Sequence, residues 1–144
     1  MDDVYEINLE TLESKVLAKK KCWMPAINSH TAVLNPETKK VYIYGGFTKH
    51  SPTSDVYEFD IASNEWIKLS VTGPIPLPRS SHTACFYQGS MIIFGGINAN
   101  GDFLSDLWIF NLTDHTWKNV DYSVSEVVPA VVLLNNIRDD KDIQ

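Results

Sequence analysis

Between residues 31 and 120 the hydrophobic positions come in brief bursts rather than long stripes. They read TAVL at 31–34, VYIYGG at 41–46, VYEFDI at 56–61 and EWIKLS at 65–70, then TACFY at 83–87, MIIFGG at 91–96, LWIFNL at 107–112 and TWKNV at 116–120. Runs this short, rich in β-branched and aromatic residues and bounded by Pro, Gly, Asn and Asp, predict strands rather than helices. The connectors NPETKK and QGS, between first and second runs, and ASN and TDH, between third and fourth, are turn formers and imply antiparallel neighbours. Alternation along each run gives every sheet two faces that need cover.

The second group of four runs repeats the first. His30 and His82 lie 52 positions apart, Gly45 and Gly95 50, Asp55 and Asp106 51, and Trp66 and Trp117 51. A third copy is partial: DVYEINLETLESKVL from Asp3 matches DVYEFDIASNEWIKL from Asp55 at an offset of 52, with Ser14 where Trp66 falls. The chain therefore opens halfway through a repeat. A sheet of four short strands cannot bury both faces alone, and stacking such sheets radially about an axis solves the problem, which is the β-propeller arrangement.

The double glycines Gly45-Gly46 and Gly95-Gly96, the aromatics Tyr57 and Trp108 in the third run and Trp66 and Trp117 opening the fourth resemble the kelch repeat. The resemblance covers roughly residues 3 to 121 and implies an all-β fold: an incomplete kelch-type propeller of four-stranded antiparallel blades. The expected organisation is a kelch-repeat region over residues 1–121, with a partial blade at 3–18 and blades at 28–71 and 80–121, then a degenerate strand and charged tail over 122–144. Each signature also has a physical reason. Paired glycines permit positive φ and close backbone approach where a strand leaves the sheet, and Trp fills the wedge between neighbouring sheets. Pro78-Arg79 matches the Pro-Arg pair that often precedes a first kelch strand, whereas Ala26-Ile27 stand at the aligned positions of the earlier copy.

Two blades, half a blade before them and a doubtful strand in VVPAVVLLNN after them are too few to close a propeller of four to eight blades. An uncovered face of about 400 Å² would forgo roughly 10 kcal/mol, comparable to the stability of a whole domain. The expectations are a truncated or partial member of a longer propeller whose missing blades a longer chain supplies, a homo-oligomer that pools blades, or an open array.

Composition narrows the chemistry. Twelve Lys and Arg against 18 Asp and Glu give a net charge of −6, which disfavours nucleic acid and anionic membrane surfaces as partners. Two cysteines without a CxxC spacing, no apolar leader and no membrane-length apolar run predict a soluble protein of a reducing, cytoplasmic compartment. His30, His50, His82 and His115 show no metal-cage spacing; His30 and His82, being repeat-equivalent, are read as structural groups satisfied within their own blades. No catalytic residue, metal or cofactor is expected.

What remains is recognition. The long connections, FTKHSPTS from Phe47, INANGDFLS from Ile97, LAKKKCWMPAINS from Leu17 and SVTGPIPLPRS from Ser70, emerge together on one face of an up-and-down blade, and such loops on a rigid base are where binding surfaces are built. Kelch proteins that bind peptides use this face, with Arg and Ser near the first strand meeting acidic ligand groups. The resemblance therefore implies a non-enzymatic interaction module, with Arg79, Ser80 and Ser81, together with Lys49, His50, Asn98 and Asn100, as the residues for a protein or peptide partner of acidic character. The alternative is a piece of a kelch-fold enzyme, an oxidase or sugar-active protein, lacking its complete active site.

Overall fold

The computed structural model describes residues 4–17 and 24–121. Within them every regular element is a strand. A hairpin of β1 (Val4–Ile7) and β2 (Ser14–Leu17) is followed by two four-stranded sheets. The first blade comprises β3 (Thr31–Asn35), β4 (Lys40–Tyr44), β5 (Val56–Asp60) and β6 (Glu65–Lys68); the second comprises β7 (Thr83–Tyr87), β8 (Ser90–Phe94), β9 (Leu107–Asn111) and β10 (Trp117–Val120). Both sheets are antiparallel and run in sequence order from inner to outer strand. The expected tail over 122–144, the doubtful strand VVPAVVLLNN within it and Cys22 lie outside the described residues, as do the ends of the expected partial blade.

Tight turns hold the registers. Asn35, Asp60 and Asn111 each close a hairpin by accepting, on a side-chain oxygen, two backbone N–H bonds from the residues that follow, which is why Asx residues recur there. The hairpin β1–β2 uses Asn8 in the same way. It pairs Val4 with Leu17 through Ile7 with Ser14 and is lightly packed: six of its eight strand residues are exposed.

The core lies between the blades. Val33, Tyr42, Tyr44 and Val56 of the first blade pack against Met91, Ile93, Phe110, Leu112 and Trp117 of the second, with Leu69, Val71, Ala84, Phe86 and Trp108 around them. Strand alternation explains the sides. Tyr42 and Tyr44 point to the second blade, so Val41 and Ile43, which alternate with them, point away, as do their cross-strand partners Phe59 and Tyr57. Trp117 is the wedge. It is 4% exposed and meets Tyr44 edge-on at 4.8 Å, Phe110 at 4.8 Å and Trp108 at 6.5 Å between ring centroids. Its repeat equivalent Trp66 is only half-buried and tilts over Phe59 at 4.7 Å, on the side of the first blade away from the second.

Candidate functional site

The face that carries the long connections is built outward from the diglycines. Gly45 and Gly46 adopt φ of +64° and +95°. A Cβ on Gly45 would stand 2.6 Å from the Arg79 carbonyl oxygen, and one on Gly46 2.8 Å from the His30 Cβ; only glycine allows the backbone this close. The approach serves a ladder across the blades: the Gly46 N–H donates to the Arg79 carbonyl at 2.9 Å, the Arg79 N–H to the Thr53 carbonyl at 3.3 Å, and the Ser81 N–H to the Ser29 carbonyl at 2.9 Å. Isolated bridges then pin each long loop, Asn28 to Phe47 to Pro52 in the first blade and Ser80 to Ile97 to Phe103 in the second. The loops are thus presented side by side on a fixed base, opposite the short turns at 36–39, 61–64, 88–89 and 112–116.

The expected binding residues separate into two groups. Lys49, His50, Ser81 and Asn100 are exposed on this face, and Asn98 is half-buried. Asn98 shapes its loop, accepting the Asn100 and Asp102 N–H groups at 2.9 Å each and donating to the Asp102 carboxylate at 2.9 Å. Arg79 and Ser80 are different, with exposures of 0% and 7%. The expectation that the Arg79 guanidinium stands ready for an acidic ligand is corrected. Its Nη1 and Nη2 donate to the two carboxylate oxygens of Asp106 at 2.6 and 2.8 Å, Nη1 also to the Gly95 carbonyl at 2.9 Å, and Nε to the Leu77 carbonyl at 3.1 Å. The Trp108 indole N–H reaches the same carboxylate at 2.7 Å. The Arg79 hydrogen bonds, with help from Trp108, hold the Asp106 carboxyl below the usual carboxylate range. A planar fork paired with a carboxylate inside the fold is a structural clamp.

His82 also departs from expectation. Its bond is not local to its own blade: Nε2 lies 2.6 Å from Thr31 Oγ1 of the first blade, and its ring meets Tyr44 edge-on at 5.2 Å. Burial, followed by the neighbouring Arg79 guanidinium and His30, pushes its pKa down to about 4, so it is a neutral group at neutral pH. Its equivalent His30 is exposed. Among the described residues no three His, Cys, Asp or Glu side chains gather to hold a metal ion.

Two features of the face were not read from the sequence. Phe103, at the tip of the second blade's loop, is 87% exposed, and Phe47 in the first blade's loop is 40% exposed. The signal was an aromatic within a loop of turn formers, NANGDF, where packing does not call for one. Beside Phe47 lies an open depression of about 270 Å³ lined by Ala26, Ile27, Asn28, Phe47, Thr48 and Lys49, chiefly apolar with the lysine among its walls.

Over residues 1–131 the chain matches the KLHDC2/KLHL20/DRC7 Kelch-repeats domain. It belongs to the kelch-repeat family. Among curated relatives it is 31% identical over 109 residues to host cell factor homolog hcf-1 of Caenorhabditis elegans, an alignment covering 65% of this chain and 14% of that protein. It is 27% identical over 130 residues to human Kelch domain-containing protein 3, covering 83% and 34%, and 31% identical over 132 residues to Adagio-like protein 3 of Oryza sativa subsp. japonica, covering 87% and 20%. This kelch-repeat chain spans about a third or less of the lengths of these relatives. Kelch repeats are typically protein-interaction modules, and that class of function is the one the exposed loop face has to accommodate.

Proposed function

We propose that the chain is a non-enzymatic interaction module, a fragment or truncated member of a longer propeller, which captures a protein partner on its long-loop face. The observation that carries this reading is the pairing of solvent-exposed Phe103 and Phe47 with Lys49 and His50 on loops anchored by the blade ladder. Large aromatics left in water on a rigid base are the anchors that dominate binding energy in protein interfaces. Lys49 and His50, with Ser81, Asn98 and Asn100 around them, supply hydrogen bonds and a local positive charge on a chain whose overall charge is −6. The partner segment is therefore one that offers an apolar side chain next to acidic ones. A cytoplasmic setting is part of the same proposal.

The test is capture of proteins from a lysate by the immobilised chain, followed by titration of the captured partner. Phe103→Ala and Lys49→Ala should each weaken the partner's affinity about tenfold and leave the melting temperature unchanged. Binding that survives both substitutions, or a loss matched by unfolding, would remove the assignment. A piece of a kelch-fold enzyme is the remaining alternative, and nothing in the geometry above favours it.

A further inference from the structure

The loop between β8 and β9 carries a chemistry that neither the fold nor the recognition face explains. Deamidation of asparagine is intramolecular: the backbone nitrogen of the following residue attacks the side-chain amide carbon. Glycine in that following position permits the attack most readily, because it has no Cβ to crowd the nitrogen and the widest choice of φ and ψ. Asn100-Gly101 is the chain's one Asn-Gly pair.

The local structure separates Asn100 from the other asparagines. Asn35 precedes Pro36, which has no N–H to serve as nucleophile. Asn111 is clamped by the Thr113 and Asp114 N–H groups on its Oδ1, with the Leu112 N–H held by the Gly89 carbonyl. Asn28 is fixed on both backbone groups by Phe47 and on its side chain by the Ser29 hydroxyl. Asn98 uses both its side-chain polar atoms within the loop. Asn100 is exposed, its side-chain amide has no protein partner among the described residues, and a Cβ at Gly101 would meet nothing within 4 Å. One bond at this exposed tip restrains the nucleophile, from the Gly101 N–H to the Asn98 carbonyl at 3.1 Å. Opening it disturbs neither sheet, and local opening of a loop tip costs little.

We propose that Asn100 is a site of spontaneous modification that changes both the charge and the clasp of the loop bearing Phe103. The Gly101 nitrogen bonds to Asn100 Cγ, the Cγ–Nδ2 bond breaks, and ammonia leaves with the Gly101 amide proton, giving a succinimide. Water then opens the ring: attack at Cγ yields aspartate, and attack at the Asn100 backbone carbonyl yields isoaspartate, whose main chain runs through the side chain. Either product lowers the net charge of −6 by one unit and sets a carboxylate two positions from Asp102. Isoaspartate also lengthens the backbone by one carbon inside the clasp in which Asn98 Oδ1 accepts the Asn100 and Asp102 N–H groups, both at 2.9 Å. The Asp102 bond then loses its geometry, and Phe103, 87% exposed at the next position, loses its fixed base. Resting on the function proposed above, this disarms one aromatic anchor as the chain ages, whereas the chemistry itself does not depend on that reading.

The test follows the purified full chain as it ages at neutral pH and physiological temperature, beside the same chain unfolded in urea. Conversion is read by peptide mass spectrometry and by methyl transfer from S-adenosylmethionine with isoaspartyl methyltransferase, so no binding partner is needed. The expected result is conversion concentrated in the peptide holding Asn100, at a rate within about tenfold of the unfolded chain's. Gly101→Ala should slow it. Asn100→Gln, whose longer side chain must close a larger ring, should abolish it with the melting temperature unchanged. Hydrogen exchange at the Asp102 amide should quicken in the isoaspartate form, whereas Asn100→Asp, with its ordinary backbone, should retain protection there. A folded chain that stays unmodified while its unfolded form converts would overturn the proposal, as would methyl incorporation that persists undiminished in Asn100→Gln. Unchanged Asp102 protection in the isoaspartate form would overturn the unclasping.

Discussion

At the scale of single residues, Arg79, expected to meet an acidic ligand, and His82, expected to be structural, are both spent on holding the fold. Arg79 directs its fork at Asp106 from a fully buried position, so truncation leaves a part-buried carboxylate without its counter-charge. Arg79→Ala should cost on the order of 3 kcal/mol in chemical denaturation, and Arg79→Lys should recover only part of it because an ammonium cannot make the paired contact. His82 gives stability a pH dependence of defined sign. Its folded pKa of about 4 lies below the ordinary 6.5, so the unfolded chain takes up the proton first. Stability should fall as pH drops from 6.5 towards 4 and level off below, by up to about 3 kcal/mol from this group. In His82→Gln that segment of the stability profile should flatten, and a profile identical to wild type would contradict the assignment.

At the scale of elements, the diglycine turn and the Trp wedge decide how closely the sheets pack. Gly45→Ala should destabilise more than Gly101→Ala. Both residues have positive φ, but a Cβ at Gly101 meets nothing within 4 Å, whereas one at Gly45 meets a carbonyl oxygen at 2.6 Å. The difference isolates steric approach from backbone strain, and equal melting temperatures for the two variants would count against the inter-blade ladder. Trp117→Ala should cost about 3 to 5 kcal/mol and Trp66→Ala less, because Trp66 is only half-buried. These elements were legible in the sequence because strand period, turn chemistry and repeat offset agree: TAVL, VYIYGG, VYEFDI and EWIKLS became β3 to β6 with shifts of one or two residues at the ends. Less legible were partnerships that span the fold. Asp106 was used as a repeat landmark, but that it receives Arg79, 27 positions earlier, depends on how the linker before β7 folds back over the β8–β9 loop. The cross-blade bond of His82 to Thr31 likewise depends on the inner strands being neighbours, which no spacing within one repeat conveys. Ile27 in the place of Arg79 was the visible hint that this arginine serves its own blade rather than a ligand shared by both.

At the scale of the whole molecule, the two sheets are a rigid base and the loops are its working surface. The exposed aromatics Phe47 and Phe103 escaped sequence reading because strand logic assigns aromatics to cores, and only the geometry of the loops separates a buried ring from one left in water. The most direct measurement of the central claim is hydrogen–deuterium exchange on the chain with and without its captured partner. The account predicts slowed exchange confined to the long loops, 47–53 and 97–104, and to the linker reaching Ser81. Protection confined instead to the short turns at 36–39, 61–64, 88–89 and 112–116, with the long loops unchanged, would contradict it.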